Sequence, residues 1–452
     1  MANFQAPTDF TLKSVIIEKG GNTYEIKQLV SLFAYIEDIT SPFVTAKMQV
    51  IDSAGLLQGL PIQTGDKIQI SVITSFSEEP IDYSLAISSV GGRYAEQKKQ
   101  TYTLTCVSPE ALVDSDIRLV RNLRGNPEKI IGELLLNDIK TDKTFYSEKS
   151  KFDINISPNR RRPFSLCSTI ATGSVSLKTK KSAGFFFWET RRGYNFFAAD
   201  SLCATKESEF RSENLNTEAF GPYIERLGNQ AGDVDSRNNI LKSVFSTDMD
   251  VFTALRTGRY NSNTATFNLS TGEYKEHKYN YYDQYANQAH LGGQESLDEI
   301  PGVSENITTN EGKYMSFVID HERWHNKLSI ASPEPTDGSD EPTQYADNHG
   351  QITSYALSRY NSLKTQQCTI VIPGNPMICA GDKVDIKLIN KIASSASFTD
   401  PWDKESSGLY LVSEVTHTYD TTLDRNGRFL TTIRLMRDSF GMQDQVSSHG
   451  NK

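Results

Sequence analysis

Cysteine is scarce in this chain and poorly placed for pairing. Its 452 residues hold five, Cys106, Cys167, Cys203, Cys368 and Cys379. No two stand as C-x-x-C, which argues against a disulfide framework or a zinc ribbon. They read as reduced, mostly buried thiols. Long apolar runs are also missing: none reaches the ~18–20 residues of a membrane span. The start, "MANFQAPTDF", has neither the basic residues nor the apolar core of a signal peptide. A protein without stable membrane insertion is expected, made and kept in a cytoplasm or packed into something assembled there. Catalytic signatures are wanting too. There is no G-x-S-x-G elbow, no Walker A loop and no G-x-G-x-x-G after a strand, so no enzyme and no cofactor are expected.

What is present is acidic on average, with 47 Lys and Arg against 56 Asp and Glu, a net charge of −9. That balance disfavours a role in coating nucleic acid. The charge is nevertheless segregated. Residues 149–193 carry ten bases against two acids, including "NRRRP" and "TRRG", whereas residues 283–347 carry thirteen acids against three bases. The basic block could bind phosphate or RNA. Because the chain supplies its own acidic counterpart, the preferred reading is a solvated face or a patch that meets an acidic partner surface. Arg160, Arg161, Arg162, Arg191 and Arg192 are the candidate interface residues.

One motif points toward metal chemistry. His321-Glu322-Arg323-Trp324-His325 fits H-E-x-x-H, which on a helix puts two imidazoles on one face to hold zinc. Its context opposes that reading. Phe317-Val318-Ile319 before it and Leu328-Ser329-Ile330 after it are strand-forming, and a strand holds the two histidines ~13 Å apart. Leu328 and Ala331 stand where an extended zinc motif needs Gly and His. Glu334 or Glu341 as a third ligand would sit in a Pro/Gly/Asp-rich linker, which holds a ligand poorly. A zinc metalloprotease is therefore a remote alternative and no metal site is expected. Trp324 is taken instead as an anchor joining the middle of the chain to its end.

Periodicity organises the rest. Residues 1–108 read as strands: Val44, Ala46, Met48 and Val50 alternate, as do Ile68, Ile70 and Val72. "NPEKIIGELLLNDIK" (126–140) reads as a helix with Pro127 in its first turn and Ile130, Ile131, Leu134, Leu135 and Ile139 buried. "PFSLCSTIATGS" is a second, short helix. "GFFFWETRRGYNFFAAD" reads as two aromatic strands around a turn at Thr190–Gly193, with the rings paired across a sheet core. "EYKEHKYNYYDQY" is expected to be a strand or edge with its rings on a contact surface. Residues 287–313 read as a long loop and "SPEPTDGSDEPTQ" as a linker. "QITSYALSRYNSLKT" has helical spacing, and four strands follow it, the last two joined by a turn at "DRNG". The expected divisions are 1–108, 109–200, 201–345, 346–442 and a flexible tail at 443–452. The fold class is mainly β with some α, an α+β arrangement.

The two ends echo each other. Gly65-Asp66-Lys67-Ile68-x-Ile70 stands against Gly381-Asp382-Lys383-Val384-x-Ile386. A strand precedes each copy and a long hairpin follows each. Glycine supplies the unusual dihedral of a turn and aspartate caps it. The shared order of elements points to a duplicated β-barrel split by a long insert.

These stretches resemble a known family. "FVTAKMQVIDSAGLLQGLPIQTGDKIQISV", "PFSLCSTIATGSVSLKTKKSAGFFFWETRRGYNFFAADSL" and "CTIVIPGNPMICAGDKVDIKLI" with "GLYLVSEVTHTY" look like the baseplate central hub proteins of contractile-tailed, T-even-like bacteriophages. The hub part of type VI secretion spike proteins is related to them. The resemblance covers both ends and part of the middle, and leaves the acidic segment 283–347 outside. It implies two tube-type β-barrel domains flanking mixed α/β middle domains, and a homotrimer whose six barrels make a pseudo-sixfold ring. A trimer presents sixfold symmetry only if each chain repeats its barrel. The implied partners are the cell-puncturing tail spike, tail tube or tube-initiator proteins, baseplate wedge proteins and the tape measure protein, with transient passage of DNA through the lumen. The implied place is the tail baseplate of a virion assembled in the host cytoplasm. A phage-derived injection or type VI-like device is the alternative.

Overall fold

The computed structural model describes residues 4–442 except residue 5, residues 54–61 other than Gly55 and Gly59, and residues 97–98, 179–182, 207, 226–233, 248–250, 270–271, 294–313, 321–348, 392–400 and 424–426. About half of the described residues are β, 47% strand against 19% helix. The mainly-β, α+β class expected from the periodicity is what the chain adopts.

The N-terminal strands are β1 (Phe10–Lys19), β2 (Asn22–Glu25), β3 (Val30–Asp38), β4 (Thr45–Asp52), β5 (Lys67–Thr74), β6 (Ser77–Glu96) and β7 (Lys99–Val107). Alternation decides which way each faces. On β4 the residues Ala46, Met48 and Val50 are fully buried, and on β5 so are Ile68 and Val72. They form one core with Val15, Ile17, Phe33, Tyr83 and Leu104.

Helices and short strands follow. Helix α1 (Pro109–Asp116) precedes β8 (Leu123–Gly125). Helix α2 (Pro127–Glu133) runs on as a π-helical turn, Leu134–Ile139. The expected apolar stripe of α2 is buried against α3 (Pro163–Thr172) and against the hairpin of β11 (Phe185–Thr190) and β12 (Gly193–Ala198). The other short strands here are β9 (Phe145–Ser147) and β10 (Ile154–Ile156). The hairpin rings lie inside: Phe185 stacks on Phe196 at 4.5 Å and Phe187 on Tyr194 at 5.8 Å. They are sheet core, as the pairing predicts.

Helix α4 (Ala199–Cys203) leads into β13 (Ala219–Glu225), β14 (Asn239–Ile240) and β15 (Lys242–Thr247). Helix α5 (Val251–Arg256) then precedes a small sheet of β16 (Asn261–Asn268), β17 (Tyr274–Asn280) and β18 (Tyr314–Asp320). The tyrosine-rich segment is strand as far as Asn280 and departs from that expectation only beyond it. Asn280 ends β17 because its side chain accepts the Tyr282 N–H at 3.0 Å, and Tyr281–Tyr285 turn into helix α6. Tyr279 and Tyr281 are buried there, while Tyr274 is exposed. Helix α7 (His349–Ser362) covers this sheet with Ile352, Tyr355 and Ala356.

The last strands are β19 (Gln366–Pro373), β20 (Lys383–Lys387), β21 (Gly408–Asp420) and β22 (Arg428–Arg437). Their pairing repeats that of the first seven. The first sheet runs β3-β4-β7-β6-β5-β1-β2 and the second β15-β19-β22-β21-β20-β13-β14. The repeat differs in the direction of one strand: β1 is antiparallel to both β5 and β2, whereas β13 is parallel to both β20 and β14. Among the described residues neither copy closes into a barrel. Strand β21 instead joins them. One edge follows β22; the other pairs with β20 over Gly408–Leu411, then with β3 over Glu414–Asp420. Fourteen strands form one sheet.

Candidate functional site: the joint between the two sheet repeats

Of the candidate residues, the structure brings together the second G-D-K turn and the Arg191-Arg192 turn; the first G-D-K turn shares the form of the second. In the first copy Gly65 has φ +96°, its N–H donates to the Ile87 carbonyl at 2.8 Å, and an Asp66 carboxylate oxygen accepts the Gln63 N–H at 2.8 Å. In the second Gly381 has φ +89°, its N–H donates to the Val412 carbonyl at 2.9 Å, and Asp382 accepts the Cys379 N–H at 2.8 Å. The glycine reverses the chain and the aspartate holds the turn from inside.

Their surroundings differ. Around Gly65 a methyl group would meet open space. Lys67 is exposed, and the ion pair of Asp66 with Lys19 is loose, at 3.8 Å. The second turn is plugged by the β11–β12 hairpin. Trp188, buried, donates its indole N–H to the Ala380 carbonyl at 2.9 Å, and its ring lies where a Cβ on Gly381 would be, 2.4 Å away. Arg192 grips Asp382 with two parallel N–H···O bonds of 2.8 Å and donates to the Met377 carbonyl at 2.6 Å. Such a fork is the strong form of this pair. Lys383 is buried and its ammonium donates to the Ala204 carbonyl; burial pulls its pKa down to about 8.

A residue not picked from the sequence completes the joint. Glu37 of β3, 1% exposed, accepts the Arg191 N–H at 2.6 Å on one oxygen and the Ala380 N–H at 3.0 Å on the other. One carboxylate thus holds the first repeat, the hairpin and the second repeat together. Burial raises its pKa to about 7, against the two amide bonds, which favour the charged form. Next to Trp188, the buried Glu189 accepts the Val44 N–H of the first repeat at 3.0 Å and pairs with Lys143 at 2.5 Å. His417 is also enclosed here. Its Nε2 faces the Ile378 carbonyl at 3.1 Å, which can only accept, so the hydrogen sits on that nitrogen. Burial lowers its pKa to about 4.

The other candidates lie elsewhere. Arg160, Arg161 and Arg162 form an exposed turn before α3, with Arg160 at φ +60°. Trp324, with His321, Glu322 and His325, lies outside the described residues, as do Glu334, Glu341 and most of the acidic segment. A second buried node escaped sequence reading. The Arg359 side chain, wholly enclosed, meets Asp200 at 2.8 Å and Asp438 at 2.7 Å, and Asp438 also meets His290 at 2.8 Å. It ties α7 and α4 to the end of β22. Both nodes position backbone; in addition His417 Nδ1 meets the Thr431 hydroxyl at 3.1 Å, both side chains being buried.

No family model and no curated protein sequence matches the chain. Its fold does match solved structures. A tail protein from Neisseria meningitidis MC58 aligns with a TM-score of 0.51 at 11% identity, covering 95% of this chain and 97% of that one. The 43 kDa tail protein of prophage MuSo2 from Shewanella oneidensis aligns with a TM-score of 0.51 at 9% identity, covering 94% and 99%. The E. coli c3393 protein, described as a component of the type VI secretion system, aligns at a TM-score of only 0.40. The chain therefore has, over nearly its whole length, the fold of tail proteins. That is the class its sequence resembles.

Proposed function

We propose that this protein is a structural hub of a phage tail baseplate and not an enzyme. In this reading three copies assemble into a ring of six sheet repeats, with the middle elements bracing it. The ring joins a puncturing spike to tail tube or tube-initiator proteins, contacts wedge proteins, and passes the tape measure protein and then DNA. The site of action is the tail of a virion. One observation carries the proposal: a seven-strand order occurs twice in one chain, fused edge to edge, in a fold shared with tail proteins. A chain that carries its repeat twice converts threefold symmetry into near-sixfold symmetry, the property an adaptor between spike and tube requires. The buried joint supports the same reading. It spends charged groups on fixing the angle between the repeats, which a ring needs and a lone enzyme domain does not. The exposed Arg160–Arg162 turn is the proposed contact for an acidic partner surface.

The test is mass and shape. Light scattering should give about 150 kDa, three times the 50.6 kDa chain, and averaged end-on images should show six lobes with threefold asymmetry. A species that stays monomeric at micromolar concentration, even with its spike present, refutes the assembly.

A further inference from the structure

The repeat leaves one strand edge without its counterpart. In the second copy, β21 runs nine residues past its pairing with β20, and that stretch takes β3 on its free edge. In the first copy β6 occupies the place of β21. The correspondence is set by the turns. Lys67 pairs with Ala86 as Lys383 pairs with Leu411, and a bulge follows at Ile87/Ser89 as one follows at Val412/Glu414. Strand β6 likewise runs on past β5, but among the described strands nothing pairs with its far edge, and Ser89–Ala95 are all exposed. The counterpart of β3 is β15. It pairs with β19 as β3 pairs with β4, and among the described strands its outer edge is bare.

We infer that β15 of one copy pairs antiparallel with the far edge of β6 on a second copy, repeating between chains the β3–β21 joint within one. This rests on the proposed self-assembly and specifies its contact. Among the described strands each chain has one bare edge of each kind, so the contact is head-to-tail, the type that closes into rings. A long bare edge is otherwise an invitation to uncontrolled pairing.

The internal joint also dictates the register. Thr418 faces Ala34 there. Counting through the shared β4–β7 and β19–β22 ladders, and through the extra bulge of β6 between Gly91 and Tyr94, Thr418 corresponds to Tyr94 and Ala34 to Val244. These are two exposed apolar side chains, Tyr94 at 66% and Val244 at 46%. The pairing sets them side by side on one face, where a cross-strand aromatic and a β-branched residue attract. Nothing in the counting required that match. Val90, 37% exposed, corresponds to Val415, which the internal joint buries completely.

Directly opposed residues of an antiparallel pair lie within disulfide reach. The full-length Tyr94→Cys/Val244→Cys variant, oxidised mildly, should therefore link chains into two- and three-chain species on a non-reducing gel, reversed by thiol. The five native cysteines are buried and should not interfere. Each single variant should stay unlinked. So should Tyr94→Cys/Ser243→Cys, because a one-residue slip turns the side chain to the other face. An assembly of normal mass with no link at 94/244, or with equal linking at 94/243, overturns this contact and leaves self-assembly standing. A monomeric mass without linking overturns both.

Discussion

Gly65 and Gly381 occupy the same place in two copies of one turn, yet a methyl group added at each meets different surroundings. Both have positive φ, so either alanine pays the left-handed strain of about 1–2 kcal/mol. At Gly65 that is the whole cost, because the space is open; at Gly381 the methyl group would stand 2.4 Å from the Trp188 ring. Denaturant unfolding should show Gly381→Ala losing at least about 2 kcal/mol more than Gly65→Ala. Equal losses would mean that the hairpin does not plug the second turn. Glu37 gives a pH signature. Its pKa rises from 4.5 unfolded to about 7 folded, so its contribution is fully present below pH 4.5 and is lost as pH rises to 7. His417 acts oppositely. Its folded pKa is lowered to about 4 from 6.5, so its contribution is present above pH 6.5 and lost as pH falls toward 4. The two slopes oppose each other in the intact protein, and the difference between wild type and Glu37→Gln isolates one of them. That difference in unfolding free energy should be about 2 kcal/mol more favourable to wild type at pH 5 than at pH 7.5. A difference that is flat or reversed across that range contradicts the buried bridging role.

At the scale of elements, the hairpin β11–β12 is a wedge, and Arg192 is its latch. Truncating Arg192 leaves Asp382 buried without its cation, whereas changing Asp382 to Asn leaves an arginine still 35% exposed that can turn to water. Arg192→Ala should cost about 2 kcal/mol, reduced from fully buried pairs by that exposure. Asp382→Asn should cost less, and the double variant should be no worse than Arg192→Ala alone. Strict additivity by urea unfolding would show that the two act separately. Much of the element layer was readable beforehand. The G-D-K turns announced themselves because a positive φ and an internal cap demand those residue types. The hairpin was legible from two aromatic runs about a glycine turn. The pairing of the two motifs was not legible: Arg192 and Asp382 stand 190 residues apart, and no local period encodes such a contact. Glu37 did leave a trace, an acid in the buried phase of Phe33, Tyr35 and Ile39. Arg359 left another, within the apolar stripe Ile352, Tyr355, Ala356 and Leu363. A charge on a core face signals a buried network. The end of β17 is not legible in the strand pattern, because Asn280 acts through a side-chain cap, which overrides strand preference in the residues after it.

For the whole molecule, the division at residue 108 marks a change of periodicity that the packing crosses. The first core contains Tyr419 and Phe429 from the far end of the chain. Tyr419 stacks on Phe33 at 5.8 Å and its hydroxyl meets that of Tyr83 at 2.8 Å. Removing either ring from a core costs about 3–5 kcal/mol, and a whole domain is stable by only about 5–15. A fragment of residues 1–108 would lose both rings, the β21 partner of β3 and the Glu37 bridge together. It should fail to show cooperative thermal unfolding or a dispersed amide spectrum, whereas in the intact chain both repeats should melt in one transition. A stable, cooperatively folding fragment would mean that the repeats are docked modules. A single transition would mean that the angle between them is built into one folding unit, as a rigid ring segment requires.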